Sequence, residues 1–432
     1  MKVTGSSSPV LLPYASNCRP KQLPTITVGL MIVMVLITFG ATLGDHTVRL
    51  THARSLFFTF GLTPAHFRPV NLLTYPFFHD GFTHLLVNLL YLWVFGAGIE
   101  AAIGRRKLLF FFVTGGIIGG IFQVLFSLRA LSPVEAAQPI VGASAACACL
   151  VGLFAVRFYR ARLAFVGLPY QPQVTAVVVL FLAAEMGFGL YALVVGNAAD
   201  GVAHWAHTGG FVFGLTCGLL LRLDAVGSRA YLQSDAALLL ERNDPGGALQ
   251  MCEALLKQDP KRADTHRDMA HAWLQLDDRA NAAGHFTEAL RIQLARNERA
   301  EAARLFAEML GQGIGAREIG GRTQLGTQSL RSLALRPAEM LMLGNALQEA
   351  GDYDMAADVL RTLTVHTPEA PEAETALLRV ASLYATHLNR HEEARILARL
   401  FQERYPESPF RARAYELLRT LETAVERGDP SS

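Results

Sequence analysis

Between Thr25 and Gly44 twenty consecutive residues carry no charge. A helix of that length, rising 1.5 Å per residue, crosses the ~30 Å hydrocarbon core of a bilayer. It also exceeds the apolar region of a cleaved signal peptide, so a retained span is expected. Five further apolar runs follow, at about 82 to 99, 108 to 128, 140 to 156, 174 to 195 and 202 to 221. Backbone polar groups in lipid must be satisfied within their own segment, which predicts six membrane helices. The stretch from 45 to 71 sets LFFTFGL among Arg49, Arg54 and Arg68. Too short to span, it is expected to lie as a loop partly in the interface.

Charge patterning divides the chain. Only 18% of residues are charged, and these crowd into the half after Arg222. Residues 1–24, Ser- and Pro-rich with Lys2, Arg19 and Lys21, read as a disordered basic tail; 25–222 as the membrane domain; 223–432 as a soluble helical domain. Lys and Arg near the span ends orient the bundle. With the N-terminus in the cytoplasm, Arg105, Arg106, Lys107, Arg157, Arg160, Arg162 and Arg222 join the basic tail on one side. Arg49, Arg54, Arg68 and Arg129 fall on the other. That bias predicts cytoplasmic N- and C-termini in a cell inner membrane. A net charge of +2 argues against a nucleic-acid partner. Cys18, Cys147, Cys149, Cys217 and Cys252 have no metal or redox spacing, so no metal, cofactor or disulfide framework is expected.

The soluble half repeats. Ala270, Trp273, Ala282, Phe286 and Ala289 share their spacing with Gly344, Leu347, Ala356, Leu360 and Leu363, and Tyr384, Ala394, Ala398 and Phe401 continue the series. Pro260, Pro368 and Pro406 fall near the unit ends. The pattern resembles tetratricopeptide repeats, helix pairs that stack into a solenoid. Residues 310 to 335 are Gly-rich and out of register, so a break is expected there. Such a solenoid implies a protein or peptide partner in a concave groove.

Ser144 stands in a Gly-Ala-Ser-Ala turn at the head of one apolar run, and His207 opens another. A serine with a nearby imidazole suggests acyl chemistry inside the bilayer. Both residues are expected to begin their helices at the extracytoplasmic face. His204 rivals His207, but Ala206, Gly210, Gly214 and Gly218 recur every four residues as a smooth seam, and His207 lies beside it. A partner helix carrying Ser144, Ala145, Ala148, Cys149 and Gly152 fits that seam. His84 and Asn88, four apart, share a helix face just after His79. They serve either as interhelical hydrogen bonders or as donors to a developing oxyanion. Glu185, mid-span, must be paired, protonated or near water, either as an interior hydrogen bonder or as a group tuning His207.

Taken in order, His79, His84 with Asn88, FGAGIE ending at Glu100, the Gly142-Ala143-Ser144 turn and AHTGGFVFG resemble the rhomboid family of intramembrane serine proteases. The resemblance covers about residues 55 to 220. It implies an all-α fold: a six-helix rhomboid bundle, here followed by the tetratricopeptide-like solenoid. It also implies an endopeptidase that cuts transmembrane or membrane-proximal segments of other proteins, without metal or cofactor. Ser144 would be the nucleophile, His207 the general base, and His84, Asn88 and the Ser144 backbone N–H the oxyanion hole. The chain departs from the family where Ala145 replaces the usual Gly and Ala148 the frequent aromatic residue. A silent rhomboid-like protein that binds membrane clients and recruits partners through its repeats is the alternative.

Overall fold

The computed structural model describes residues 12–18, 22–47, 53–130, 136–195, 202–314, 317–319, 322–324 and 333–426. They form two compact units, Met1–Arg229 and Ala230–Ser432. In the first, helices coincide with all six apolar runs: α1 (Thr25–Thr47), α2 (Phe82–Ile103, with a π turn at Leu92–Gly96), α3 (Arg105–Ala130), α4 (Ser144–Arg157), α5 (Val174–Val195) and α6 (His204–Leu220). Among the described residues α2, α3 and α5 are each long and apolar enough to cross a membrane unaided. Helix α4 is shorter than its apolar run. Its 14 residues rise about 21 Å, well short of the ~30 Å core. The chain ahead of Ser144 lies outside the helix, pinned by the bridge of Ile140 with Leu62 and by the Gly142 amide on Tyr75 O at 3.0 Å.

The stretch before α2 holds this segment. It carries short helices at Ala53–Phe60 and Asn71–Thr74, the latter leading to buried Tyr75, whose hydroxyl donates to Gly116 O at 2.7 Å. Arg49, within the expected loop, lies outside the described residues.

Part of the expected N-terminal tail is ordered. Strand β1 (Pro13–Ser16) pairs antiparallel with β2 (Leu163–Phe165). This places the chain before α1 beside the connection after α4. Glu100 explains itself here: its buried carboxylate accepts from the amides of Ile26 and Thr27 at 3.0 and 2.8 Å and from the Thr27 hydroxyl at 2.8 Å. It thus satisfies first-turn donors of α1 and lies at the positive end of that helix.

The core of the bundle is a small-residue contact among α3, α4 and α6. A Cβ built on Gly210 would overlap Ala145 O, and one on Gly214 would lie 2.8 Å from Cys149 C. On α3, a Cβ at Gly119 would stand 2.5 Å from Ala206 O. Only glycine lets these backbones approach so closely.

The second unit is a run of antiparallel helices, with α7 (Leu223–Glu241) ending inside it and α8 (Pro245–Gln258), α9 (Ala263–Gln275), α10 (Arg279–Ala295) and α11 (Arg299–Gly311) following. After the break come α12 (Pro337–Glu349), α13 (Tyr353–His366), α14 (Pro371–Thr386), α15 (His391–Arg404) and α16 (Arg411–Glu426). One turn recurs between paired helices. A residue with positive φ (Asn243, Asp277, Gly351) ends a helix, and the next residue (Asp244, Asp278, Asp352) caps the following one through its carboxylate. The repeat positions pack inward: Ala270, Ala282, Phe286, Ala289, Leu347, Ala356, Leu360 and Leu363 are buried, and Gly344 admits the Leu360 side chain. At the expected break, Arg317–Ile319 pairs with Arg322–Gln324 as a small hairpin.

Candidate active site

Ser144 is the first helical residue of α4, after Gly142 in the left-handed region (φ 113°) and Ala143. Amides of a first helical turn have no carbonyl four residues back to bond, and they lie at the positive end of the helix dipole. The Ser144 N–H is therefore available to an oxyanion. Glycine at 142 serves two needs. It allows the positive φ, and it leaves room for the His84 ring, whose Nε2 would be 2.6 Å from a Cβ there.

His84 sits between that turn and Asp80. Its Nδ1 is 2.6 Å from Asp80 Oδ1, and this hydrogen bond holds the Asp80 carboxyl below the usual carboxylate range. The carboxylate accepts from a protonated Nδ1, and this fixes the ring with Nε2 toward the turn. Asn88, buried on the same helix face, donates one amide N–H to His84 O at 2.9 Å. An Asn amide has two such hydrogens, so one remains. His79 accepts the Ala143 amide at Nε2 (3.4 Å), and its Nδ1 lies 3.4 Å from Thr38 Oγ1. Burial, and next the charge of His84, push the His79 imidazole down to about 4. A neutral ring is what an acceptor nitrogen needs. His79 thus braces the residue before the serine.

His207 lies in the first turn of α6. Its Nδ1 is 3.0 Å from Glu185 Oε2, and His204 Nδ1 is 2.8 Å from the same oxygen. The sequence left Glu185 to be paired, protonated or near water; it is paired, and both rival histidines share its Oε2. No hydrogen bond joins Ser144 Oγ to His207 among the described residues. Their helices nevertheless meet along the expected seam, with Gly210 against Ala145 O and Gly214 against Cys149.

Both departures from the family pattern have physical counterparts. The Ala145 methyl is received by Gly119, whose own Cβ would lie 2.7 Å from it. Ala148, buried in α4, offers no ring on which an imidazole could stack, and the Glu185 carboxylate restrains His207 instead. Gln123 was not anticipated. From α3 it accepts the Ala206 amide at 3.0 Å and donates to Ser127 Oγ at 3.1 Å, tying the start of α6 to α3. Its signal in the sequence is a lone amide in an otherwise apolar span, which must find a partner.

Residues 66–223 match the rhomboid domain, and residues 341–409 match a tetratricopeptide repeat. The chain is 29% identical over 145 residues to the presenilin-associated rhomboid-like protein A, mitochondrial, of Danio rerio, covering 32% of this chain and 34% of that protein. It is 26% identical over 211 residues to rhomboid-related protein 3 of Homo sapiens, covering 48% of this chain and 50% of that one. The chain thus spans half or less of the length of these curated relatives. Domain matches, ordered motifs and helical architecture agree: this membrane protein carries a rhomboid domain over residues 66–223 and a tetratricopeptide repeat over residues 341–409.

Proposed function

We propose that the chain is an intramembrane serine endopeptidase that cuts transmembrane or membrane-proximal segments of other proteins. The observation that carries this reading is the convergence on one turn of Ser144 at a helix N-terminus, the His84 ring, and the spare amide hydrogen of Asn88. Beside it, the glycine seam holds the His207 helix against the serine helix. Ser144 Oγ attacks the scissile carbonyl carbon while His207 takes the hydroxyl proton. The carbonyl oxygen becomes an oxyanion, met by the Ser144 N–H, Asn88 and His84. As the intermediate collapses, the C–N bond breaks, and His207 returns the proton to the leaving amine. Water, deprotonated by the same imidazole, then releases the acyl group. Loss of one oxyanion donor typically costs ~2.7 to 4 kcal/mol.

The repeats support a protein or peptide partner, which would select or localise substrates without entering the chemistry. The charge bias supports N- and C-termini in the cytoplasm, and with it goes the proposal of residence in an inner membrane. A second reading, a silent client-binding protein, is favoured by one observation, the missing Ser144–His207 hydrogen bond. Such bonds are commonly long in unliganded enzymes and tighten with substrate. Purified protein in lipid should cleave a single-span model substrate, and Ser144→Ala should remove that cleavage. If neither protein cuts, the client-binding reading replaces the proteolytic one.

A further inference from the structure

Helix α5 carries a single charge, Glu185, in 22 residues. A carboxylate in such a span persists only with partners. Its partners are the two imidazoles of the first turn of α6, at 2.8 and 3.0 Å, and all three side chains are largely shielded from solvent. These ligand-type atoms lie within 4.8 Å of one another, as metal ligands would. The distances favour protons over a metal. Donors held at 2.0–2.1 Å around zinc stand about 3.3 Å apart, whereas 2.8 and 3.0 Å are ordinary lengths for N–H donors on one oxygen.

We infer that Glu185 is a positioning residue of the reaction, acting through His207. The inference rests on the proposed roles of Ser144 and His207. A carboxylate only accepts, so Glu185 Oε2 requires the proton on Nδ1 of His207. Nε2 is then left with its lone pair, the form that can take a proton from Ser144. When the imidazolium forms, the same carboxylate neutralises it without rearrangement. His204, three residues earlier on the same helix face, donates to the second lone pair and locks the carboxylate's orientation. The shared oxygen therefore assigns distinct roles to the two histidines: His207 as base, His204 as the clamp on its orienting anion.

The test uses the full chain in lipid. Cleavage of a single-span substrate and labelling by a fluorophosphonate are measured for wild type, Glu185→Ala, Glu185→Gln and Glu185→Asp. Removing the orienting carboxylate is expected to lower kcat by roughly 10²- to 10⁴-fold with KM nearly unchanged. Glu185→Gln should resemble Glu185→Ala, and Glu185→Asp should recover at least about tenfold of the loss. ¹⁵N-histidine spectra of the Ser144→Ala protein should show His207 protonated at Nδ1, and a mixture of tautomers once Glu185→Gln is added. Active wild type with Glu185→Ala within about threefold of it would overturn this inference alone. So would Glu185→Gln at wild-type activity, since a neutral tie between α5 and α6 would then suffice, and so would stoichiometric zinc in the purified protein. Wild type that neither cleaves nor labels would instead overturn the proteolytic reading on which the inference stands.

Discussion

His207→Ala is expected to lower kcat for a single-span substrate by about four orders of magnitude or more, with little change in KM or in thermal unfolding. The serine hydroxyl is a weak nucleophile without a base, and members of such a unit fail together when one is removed. Folding should be spared, because the Glu185 carboxylate keeps its 2.8 Å bond to His204 after His207 is truncated. The buried anion is therefore not stranded, and only one hydrogen bond, about 1 to 3 kcal/mol, is lost. His204→Ala provides the contrast. It loosens the carboxylate but leaves the base, and activity should fall by no more than about tenfold. If the two substitutions are equally damaging, or His204→Ala is the worse, the assignment of the base is wrong. Turnover and substrate affinity in lipid, with unfolding followed on the same samples, decide between these outcomes.

Gly214→Leu carries the largest expected effect on stability. A Cβ at this position would lie 2.8 and 2.9 Å from the carbonyl carbon and Cα of Cys149. Those are backbone atoms of α4 and cannot rotate aside, so α4 and α6 must separate. The seam beside it, Gly210 on Ala145 O and Gly152 on Phe211 O, would open with them. Overpacking commonly costs 1–3 kcal/mol, and a backbone clash at a helix crossing should exceed that, roughly 3 to 5 kcal/mol. Gly187→Ala is the control, since a Cβ there meets nothing within 4 Å. Thermal unfolding in detergent should drop sharply for Gly214→Leu and stay near wild type for Gly187→Ala. Equal midpoints would show that the close crossing is not what holds the bundle.

Much of this molecule is legible in its sequence because its constraints are local or periodic. Length and absence of charge place the six helices. A four-residue spacing of Ala206, Gly210, Gly214 and Gly218 marks the crossing face of α6, and repeated offsets mark the solenoid. What escapes the sequence depends on partners distant in the chain. Four residues before α1 form a strand because Leu163–Phe165 offers an edge, and nothing in a Pro- and Ser-rich segment announces that. The apolar run at 140 to 156 does not reveal that its first residues stay outside the helix, because bonds from Leu62 and Tyr75 decide it. Ala145 looks damaging until Gly119 is seen opposite it. The paired strands Arg317–Ile319 and Arg322–Gln324 flank a Gly-Gly dipeptide in the sequence, a composition common between hairpin strands.

The most direct measurement is covalent labelling of the intact protein in lipid by a fluorophosphonate, with the modified residue located by mass spectrometry. Such a probe reacts with a serine whose proton is removed by a neighbouring base. The account predicts a single adduct on Ser144, present in wild type and absent from both Ser144→Ala and His207→Ala. An unlabelled wild-type protein, or an adduct on another residue that survives His207→Ala, would contradict it.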